Sequence, residues 1–210
     1  MPALTDRQKN IIDAATKLVS ERGIQELTLK NLAARVGVSE PALYRHFASK
    51  ADILKGVLDL FEDQIHSAIL PATEISAKQD SDAGAGATLG HFVSGIAAIL
   101  IHRPELAALL FSEEVFWNEP ELSGRMHALM TRTLHRISAL IASGMSSGEF
   151  RPDIDPASLS TALIGGIRLL CTIWRLGSFS SDLAQDIDKL WGTLRTSITT
   201  SAAFAKQAIL

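Results

Sequence analysis

The fold of this chain is decided by residues 28–50, which read TLKNLAARVGVSEPALYRHFASK. Apolar residues recur there at steps of three or four up to Val36, which predicts a short helix over 28–36. Gly37 is expected to end that helix, because glycine readily adopts the left-handed conformation that closes a helix. Ser39 suits the N-cap of a following helix, and Pro41 lies in its first turn, where a missing amide is harmless. The stretch therefore predicts two short helices joined by a tight turn.

Such a pair of helices is the core of a helix-turn-helix motif, whose second helix enters the major groove of DNA. Leu43 and Phe47 are the predicted inward residues of that second helix, which leaves its polar residues exposed. Residues 44–46, together with Lys30 and Lys50, can donate hydrogen bonds to DNA phosphates. The alternative is a three-helix bundle with a solvated face, since helix pairs with such turns are frequent in all-α proteins.

Helical patterns continue on both sides of this motif. Thr5 and Gln8 have the spacing of a capping box, and prolines 104, 120 and 156 each suit the first turn of a helix. Small and polar residues over 76–87 predict a flexible loop, and no strand-like alternation is present. The sequence therefore predicts an all-α fold of nine helices, over about 5–22, 28–36, 39–47, 49–71, 89–102, 104–117, 120–147, 155–176 and 182–202.

The charge distribution separates the N-terminal end from the rest of the chain. The 210 residues are 47% hydrophobic and carry a net charge of −3, so no overall polycation is available to coat nucleic acid or a membrane. Residues 1–55 hold nine Lys and Arg against six Asp and Glu, a net charge of +3. The remainder holds eleven against seventeen, a net charge of −6. This asymmetry favours an anionic partner at the N-terminal end.

Cysteine usage and apolar stretches indicate the compartment. Cys171 is the single cysteine and cannot form an internal disulfide, and no signal-peptide pattern is present near the N-terminus. The apolar stretches 92–101 and 162–174 are shorter than the roughly 18 residues that a membrane span needs. The sequence thus predicts a cytoplasmic protein without membrane contact.

The motif in residues 28–50 resembles the DNA-binding signature of the TetR/AcrR family of bacterial transcriptional regulators. Leu-Ala, Gly-Val-Ser, Leu-Tyr, His-Phe and the final Lys all fall in register, and the resemblance covers about residues 5–55. It implies a helix-turn-helix DNA-binding domain at 1–48 and a helical effector-binding and dimerisation domain at 49–210. It also implies a homodimer that binds double-stranded operator DNA and is usually released by a small molecule.

The resemblance further implies, position by position, which residues contact DNA. Contacts from the first helix of the motif fall on Thr28 and Lys30, and phosphate contacts fall on Tyr44, His46 and Lys50. The complete predicted set of DNA-binding residues is Thr28, Lys30, Ser39, Glu40, Pro41, Ala42, Tyr44, Arg45, His46 and Lys50.

Residues 40–42 match the base-facing turn of the family. Glu40 repels phosphate unless it accepts a hydrogen bond from a donor such as the cytosine amine, so it is predicted to read a C or to disfavour other bases. Pro41 and Ala42 offer only apolar contact, which suits a thymine methyl group.

The last two helices are the candidate dimer interface. The helix that contains residues 162–174 is apolar on nearly all sides and needs cover on every side, and the final helix carries an apolar stripe. In a monomer the helix that contains residues 162–174 would be a central core helix. The family resemblance implies instead that the last two helices form a four-helix bundle with the same helices of a second copy. Such a two-fold dimer would also place two DNA-binding heads on a palindromic site. The predicted interface residues are Ile167, Leu170, Leu183, Ile187, Leu190, Trp191 and Leu194.

Large or soft side chains on the middle helices are candidates for a pocket that binds an apolar effector. Each of them can instead be an ordinary core residue. The predicted pocket residues are Phe92, Phe111, Phe116, Trp117, His127, Met130, Cys171 and Trp174.

Two other classes of function compete with a ligand-regulated DNA-binding protein. An enzyme is disfavoured, because the chain has no Gly-x-Ser-x-Gly, no phosphate-binding loop and no His-Glu-x-x-His, and Cys171 lies in an apolar run where a thiol stays protonated. With no His-x3-His and no cysteine pair, neither a metal nor another cofactor is expected. A DNA-bound adaptor that recruits a protein partner keeps the same fold without an effector, and the sequence does not decide between these two.

Overall fold

The computed structural model describes residues 4–78, 84–111 and 120–200. Within these ranges a one-turn 3-10 helix lies at Ile24–Glu26, and the single extended pairing is a bridge between Phe150 and Thr199. The all-α prediction is therefore confirmed. The nine α-helices of the described ranges are α1 (Asp6–Arg22), α2 (Leu29–Val36), α3 (Glu40–Tyr44), α4 (Lys50–Lys78), α5 (Ala85–His102), α6 (Pro104–Leu110), α7 (Pro120–Ser146), α8 (Pro156–Leu176) and α9 (Leu183–Ile198).

The predicted helix starts agree with the structure where a local signal defines them. The Thr5 hydroxyl accepts a hydrogen bond from the backbone N–H of Gln8, and the Gln8 side chain accepts one from the backbone N–H of Thr5. This reciprocal pair is the predicted capping box, and it satisfies two backbone donors at the start of α1. Pro104, Pro120 and Pro156 are each the first residue of a helix, as their pattern predicted.

The predicted loop over 76–87 is too long. α4 continues through Pro71 to Lys78, and α5 already begins at Ala85. The early start of α5 has a tertiary cause, because the backbone N–H of Gly86 donates to Glu149 Oε1 at 3.1 Å. This acceptor is 63 residues away along the chain and satisfies a free amide of the first turn, so no local pattern could reveal it.

Other helix ends also differ from the prediction. α3 ends at Tyr44, yet the N–H of Phe47 still donates to the Leu43 carbonyl at 3.1 Å and keeps that ring inward. α9 ends at Ile198 because Thr199 leaves the helix to pair with Phe150. Residues 112–117 of the predicted sixth helix and residues 201–202 of the predicted last helix lie outside the described residues.

Contacts divide the chain into two compact units. The first comprises Met1–Gln64 and Arg103–Ala128, and the second comprises Ile65–His102 and Leu129–Leu210. These units are defined by packing, whereas the predicted boundary between residues 48 and 49 separates functions and stays a prediction.

The first unit combines an apolar core with ion pairs between its two sequence segments. Leu32, Leu43 and Leu54 are fully buried in that core. The partly exposed ion pairs contribute at most about 1 kcal/mol each, but they fix which parts of the two segments meet. They are Arg103 with Asp13 at 2.7 Å, Lys55 with Glu121 at 2.9 Å and Arg125 with Asp59 at 2.5 Å.

The second unit is held by close packing of α5, α8 and α9. A Cβ atom at Gly90 would lie 3.2 Å from Nε1 of Trp191, and one at Gly166 would lie 2.7 Å from Cδ2 of Leu190. A side chain at 166 would therefore require the Leu190 side chain to move, so glycine allows Leu190 to pack directly against the backbone of α8. Phe92, on α5, completes this core.

α5 and α8 are also long and apolar enough to cross a membrane, judged by length and composition alone. Both helices bury side chains within their unit, including Phe92 and Ile96 on α5 and Ile167 and Cys171 on α8. Core packing accounts for these residues, because a helix covered by its neighbours needs the same composition as a membrane span.

Candidate nucleic-acid interface

The turn between α2 and α3 is built from backbone geometry. Gly37 has a φ of 74°, in the left-handed region that glycine adopts without strain. The N–H of Val38 donates to the Ala33 carbonyl at 3.0 Å and closes the end of α2. Leu43 is fully buried and anchors α3 against the rest of the first unit. The chain therefore presents the opposite face of α3 in a fixed orientation.

This exposed face carries most of the predicted DNA contacts. Tyr44 is 51% exposed, and Glu40, Pro41, Arg45 and His46 are exposed beside it. Ala42 is half-buried, and Ser39 caps α3 without a side-chain hydrogen bond to the helix, which leaves its hydroxyl available at the turn. The structure thus places these residues side by side on one surface.

Two of the remaining predicted DNA contacts also make hydrogen bonds within the protein. Thr28 is the N-cap of α2, where its hydroxyl accepts a hydrogen bond from the N–H of Asn31 at 3.1 Å. Lys30 is exposed. Lys50 is half-buried, and its Nζ donates to the Ile24 carbonyl at 3.2 Å, which holds the 3-10 turn. Sequence reasoning assigned Lys50 to phosphate alone and missed this structural hydrogen bond.

Arg35 also belongs to the motif, but an acid neutralises it. Its guanidinium makes two hydrogen bonds with the Glu21 carboxylate, at 2.7 and 2.8 Å. The hydrogen bond with Arg35 holds the pKa of Glu21 below its usual value, and the same bond raises the pKa of Arg35. The pair ties the end of α1 to α2, so Arg35 serves the packing of the two helices.

A cleft beside α3 adds a cation that sequence reasoning missed. It has a volume of about 390 Å³ and brings Arg7, from the first turn of α1, next to residues of the predicted interface. One signal could have identified Arg7, because a cation in the first turn of a helix opposes the helix dipole and calls for another explanation. The cleft is lined by Arg7, Ile11, Val38, Ala42, Leu43, Arg45 and His46.

The predicted pocket residues do not share one environment. Phe92, Cys171 and Trp174 are buried in the second unit, and Phe111, in the first, is half-buried. Phe116 and Trp117 lie outside the described residues. His127 and Met130 are exposed on α7, which does not match the lining of an enclosed pocket, and the pocket as a whole stays a prediction.

The predicted interface residues divide into two groups. One group is buried within the single chain and contributes to its core, while its place in the interface stays a prediction. These residues are Ile167, Leu183, Ile187 and Trp191. Leu170, Leu190 and Leu194 are half-buried.

Further apolar side chains on and after α8 are exposed, and the sequence prediction omitted them. Leu169 is 60% exposed, Ile173 55% and Leu176 82%, and Phe179 follows the helix. The surface formed by Leu169, Ile173, Leu176 and Phe179 is called the α8 apolar face below. Together with the half-buried leucines, it offers an uncovered apolar surface of the kind that marks protein–protein contacts.

Cys171 is the free cysteine among the residues that the structure describes, and its thiol is buried. Burial raises the pKa of the Cys171 thiol to about 11, which keeps it protonated and unreactive at neutral pH. No group of three His, Cys, Asp or Glu side chains in the described part of the chain is placed to hold a metal ion.

Comparison with known proteins identifies the N-terminal motif. The family model described as "Bacterial regulatory proteins, tetR family" matches residues 11–57, which contain α2, α3 and the turn between them. A curated relative, the nucleoid occlusion factor SlmA of Photobacterium profundum, is 27% identical over 192 residues. That alignment covers 90% of this chain and 94% of the relative.

Solved structures show that the fold is shared over nearly the whole chain. The ketosteroid transcriptional regulator KstR2 of Mycobacterium tuberculosis superposes with a TM-score of 0.78 at 18% identity, covering 95% of this chain and 98% of the other. The transcriptional regulator FadR from Bacillus subtilis, in complex with stearoyl-CoA, superposes with a TM-score of 0.72 at 24% identity, covering 89% and 96%. At these identities the likeness establishes the architecture alone.

Proposed function

We propose that the chain is a member of the TetR family of bacterial regulatory proteins and acts as a cytoplasmic homodimeric repressor of a palindromic operator. A small apolar effector releases it from the DNA, and it uses no cofactor and catalyses no reaction. The observation that carries the proposal is the exposed polar face of α3, with Glu40, Tyr44, Arg45 and His46 projecting from an anchored helix. A face of this composition can contact both base edges and phosphates.

The α8 apolar face supports the homodimer. Single apolar side chains are common on protein surfaces, but Leu169, Ile173 and Leu176 follow one another at steps of three and four on one helix. A second copy related by a two-fold axis covers such a face with the same residues. The same axis relates the two heads, which is why we expect a palindromic operator with half-sites about one helical turn of DNA apart.

An apolar effector is supported by the composition of the second unit. Its core is formed by aliphatic and aromatic side chains such as Phe92 and Trp174, so burial would supply most of the binding free energy. The solved FadR from Bacillus subtilis is in complex with stearoyl-CoA, whose stearoyl chain is a long aliphatic group. The effector would act by favouring a dimer whose heads no longer match the operator.

Selection of bound duplexes from a random pool tests DNA recognition directly. We expect the full chain to enrich an inverted repeat, and the enriched sequence would then serve as the operator in all later measurements. Enrichment of a single non-repeated site, or of no sequence, would contradict the proposal that a dimer binds two half-sites.

The base-facing role of Glu40 gives a sharper prediction. Glu40→Gln removes the charge and adds a donor, so the variant is expected to change the preferred base at one position of each half-site by about tenfold, or about 1.4 kcal/mol. Lys30→Ala is the matched control, because loss of a phosphate contact weakens all sequences alike. Selection with both variants measures the difference, and an unchanged base preference in Glu40→Gln would remove this residue from the readout.

Effector binding predicts a reciprocal loss of DNA affinity. Trp174 packs edge-on against Phe179 with ring centroids 4.7 Å apart, so a ligand that enters the second unit is expected to change tryptophan emission. Linkage requires operator DNA to weaken the effector by the same factor by which the effector weakens operator binding. Titration of an apolar compound library checks both quantities, and Trp174→Phe tests the source of the signal. A compound that binds tightly but leaves operator affinity unchanged would not be the effector.

The second candidate function is a DNA-bound adaptor for another protein. It is favoured by the SlmA relative, which is described as a nucleoid occlusion factor and aligns over 94% of its length. An adaptor would keep its operator affinity in the presence of every small molecule tested. Failure of the whole effector screen, combined with a confirmed operator, would therefore favour this candidate.

A further inference from the structure

The cleft beside α3 joins cationic side chains from two helices that are distant in sequence. Arg7 comes from the first turn of α1, whereas Arg45 and His46 follow the end of α3. Its floor is apolar, with Ile11 and Leu43 fully buried and Val38 and Ala42 half-buried. The cleft thus has the chemistry of a site for an anion that carries a hydrocarbon part.

The two guanidinium groups of the cleft have no acidic partner among the residues that the structure describes. This distinguishes Arg7 and Arg45 from Arg35, which pairs with Glu21. An arginine without an acidic partner has its planar set of donors available, and this set matches the geometry of a phosphate group.

The position of Arg7 at a helix start adds a second argument. The first turn of α1 contains Asp6, which suits the partial positive charge of the helix start, whereas a cation at position 7 does not. The amide of Gln8 is already bonded to Thr5, so the side chain of Arg7 is the group at this helix start that favours an added anion. An anion at the cleft would therefore turn an unfavourable placement of Arg7 into a favourable one.

We propose that this cleft holds one phosphodiester of the DNA backbone, contacted by Arg7 together with Arg45 and His46. The deoxyribose carbons of that nucleotide lie against Val38 and Ala42, the half-buried residues of the apolar floor. Arg7 thereby becomes a DNA contact outside the helix-turn-helix itself, and it fixes how far α3 enters the groove. The proposal rests on the proposed function, because it assumes that α3 faces DNA.

Arg7→Ala is the first test, with the selected operator and an unrelated duplex of equal length as probes. We expect both duplexes to bind about 100-fold more weakly, because one contact of about 1.4 kcal/mol is lost in each of two heads and a phosphate contact carries no sequence information. The slope of log affinity against log salt should fall by about 1.8, for one phosphate in each of two heads. Arg22→Ala is the matched control, since Arg22 is an exposed cation in the last turn of the same helix. Equal effects of the two variants would overturn the proposal.

Replacing single operator phosphates with uncharged methylphosphonates locates the contact. In each half-site, methylphosphonate at one position should weaken DNA binding by the wild type and leave binding by the Arg7→Ala variant unchanged. The variant already lacks the side chain that contacts that phosphate. If every position weakens both proteins by the same factor, the cleft does not hold the backbone. If the wild type binds no duplex at all, the proposed function itself fails, which is a distinguishable outcome.

Inorganic phosphate separates the backbone from a free anion. At matched ionic strength, phosphate should compete with DNA no better than chloride does, because free phosphate lacks the sugar that would contact the apolar floor of the cleft. Stronger competition by phosphate that disappears in Arg7→Ala would assign the cleft to a free anion and overturn the proposal.

Discussion

Replacing Ile173 and Leu176 together with Glu is expected to leave the chain monomeric. These side chains are 55% and 82% exposed in a single chain, so the charges do not disturb its core. In a two-fold interface the change places four carboxylates on an apolar surface without partners, which costs several kcal/mol. Light scattering at micromolar concentration measures the molar mass. Operator affinity should fall about 100-fold or more, because the second head no longer binds at high effective concentration.

A control with the same added charge distinguishes loss of the interface from a general effect of acidity. Ala139 and Ser143 are exposed on α7, and Glu at both adds two carboxylates one helical turn apart. This variant should remain dimeric with unchanged operator affinity. A dimer that survives Glu at 173 and 176 would place the interface on another surface.

Local signals predicted the helices well because caps and breakers act within a few residues. The capping box of Thr5 and Gln8 and the left-handed Gly37 need only their neighbours in the chain. The start of α5 was missed because its first turn is capped by Glu149, from a distant segment. The ion pair of Arg103 with Asp13 likewise joins segments that are far apart in sequence, which no periodic pattern records.

The apolar stripe of α9 was identified correctly, whereas its assignment to the dimer interface stays a prediction. A stripe shows which face is buried and does not show whether its own chain or a second copy covers it. Ile187 and Trp191 are covered within the chain, although both were predicted as interface residues. α8 has two apolar faces. The face that contains Ile167 is buried and the face that contains Ile173 is exposed, a difference that the sequence pattern does not show.

The surface proposed to face DNA was predictable to the extent that it is local. Residues 39–46 are contiguous in sequence, so one short helix was enough to group them. Arg7 was missed because α1 brings it to the cleft from outside the motif. The hydrogen bond of Lys50 with Ile24 was missed because it depends on how the 3-10 turn packs.

Substitutions of the neighbouring residues Leu43 and Tyr44 on α3 should have different effects, one on stability and the other on DNA binding. Leu43 is fully buried, so Leu43→Ala is expected to destabilise the first unit by about 3 kcal/mol, through lost apolar burial and a cavity. Thermal unfolding should then begin more than about 10 °C lower, given the usual entropy of unfolding of a domain of that size. DNA binding would weaken only as far as the fold is lost, and should recover at low temperature.

Tyr44→Ala is the counterpart on the exposed side of the same helix. Tyr44 is 51% exposed, so its removal should leave the unfolding temperature within about 2 °C of the wild type. Its loss should weaken operator binding about 100-fold. Each of the two heads loses one hydrogen bond to phosphate, and each bond contributes about 1.4 kcal/mol. Calorimetry and a binding titration on the two variants provide the comparison. If Tyr44→Ala lowers stability as much as Leu43→Ala, or leaves DNA affinity unchanged, the outward face of α3 is not the surface that contacts DNA.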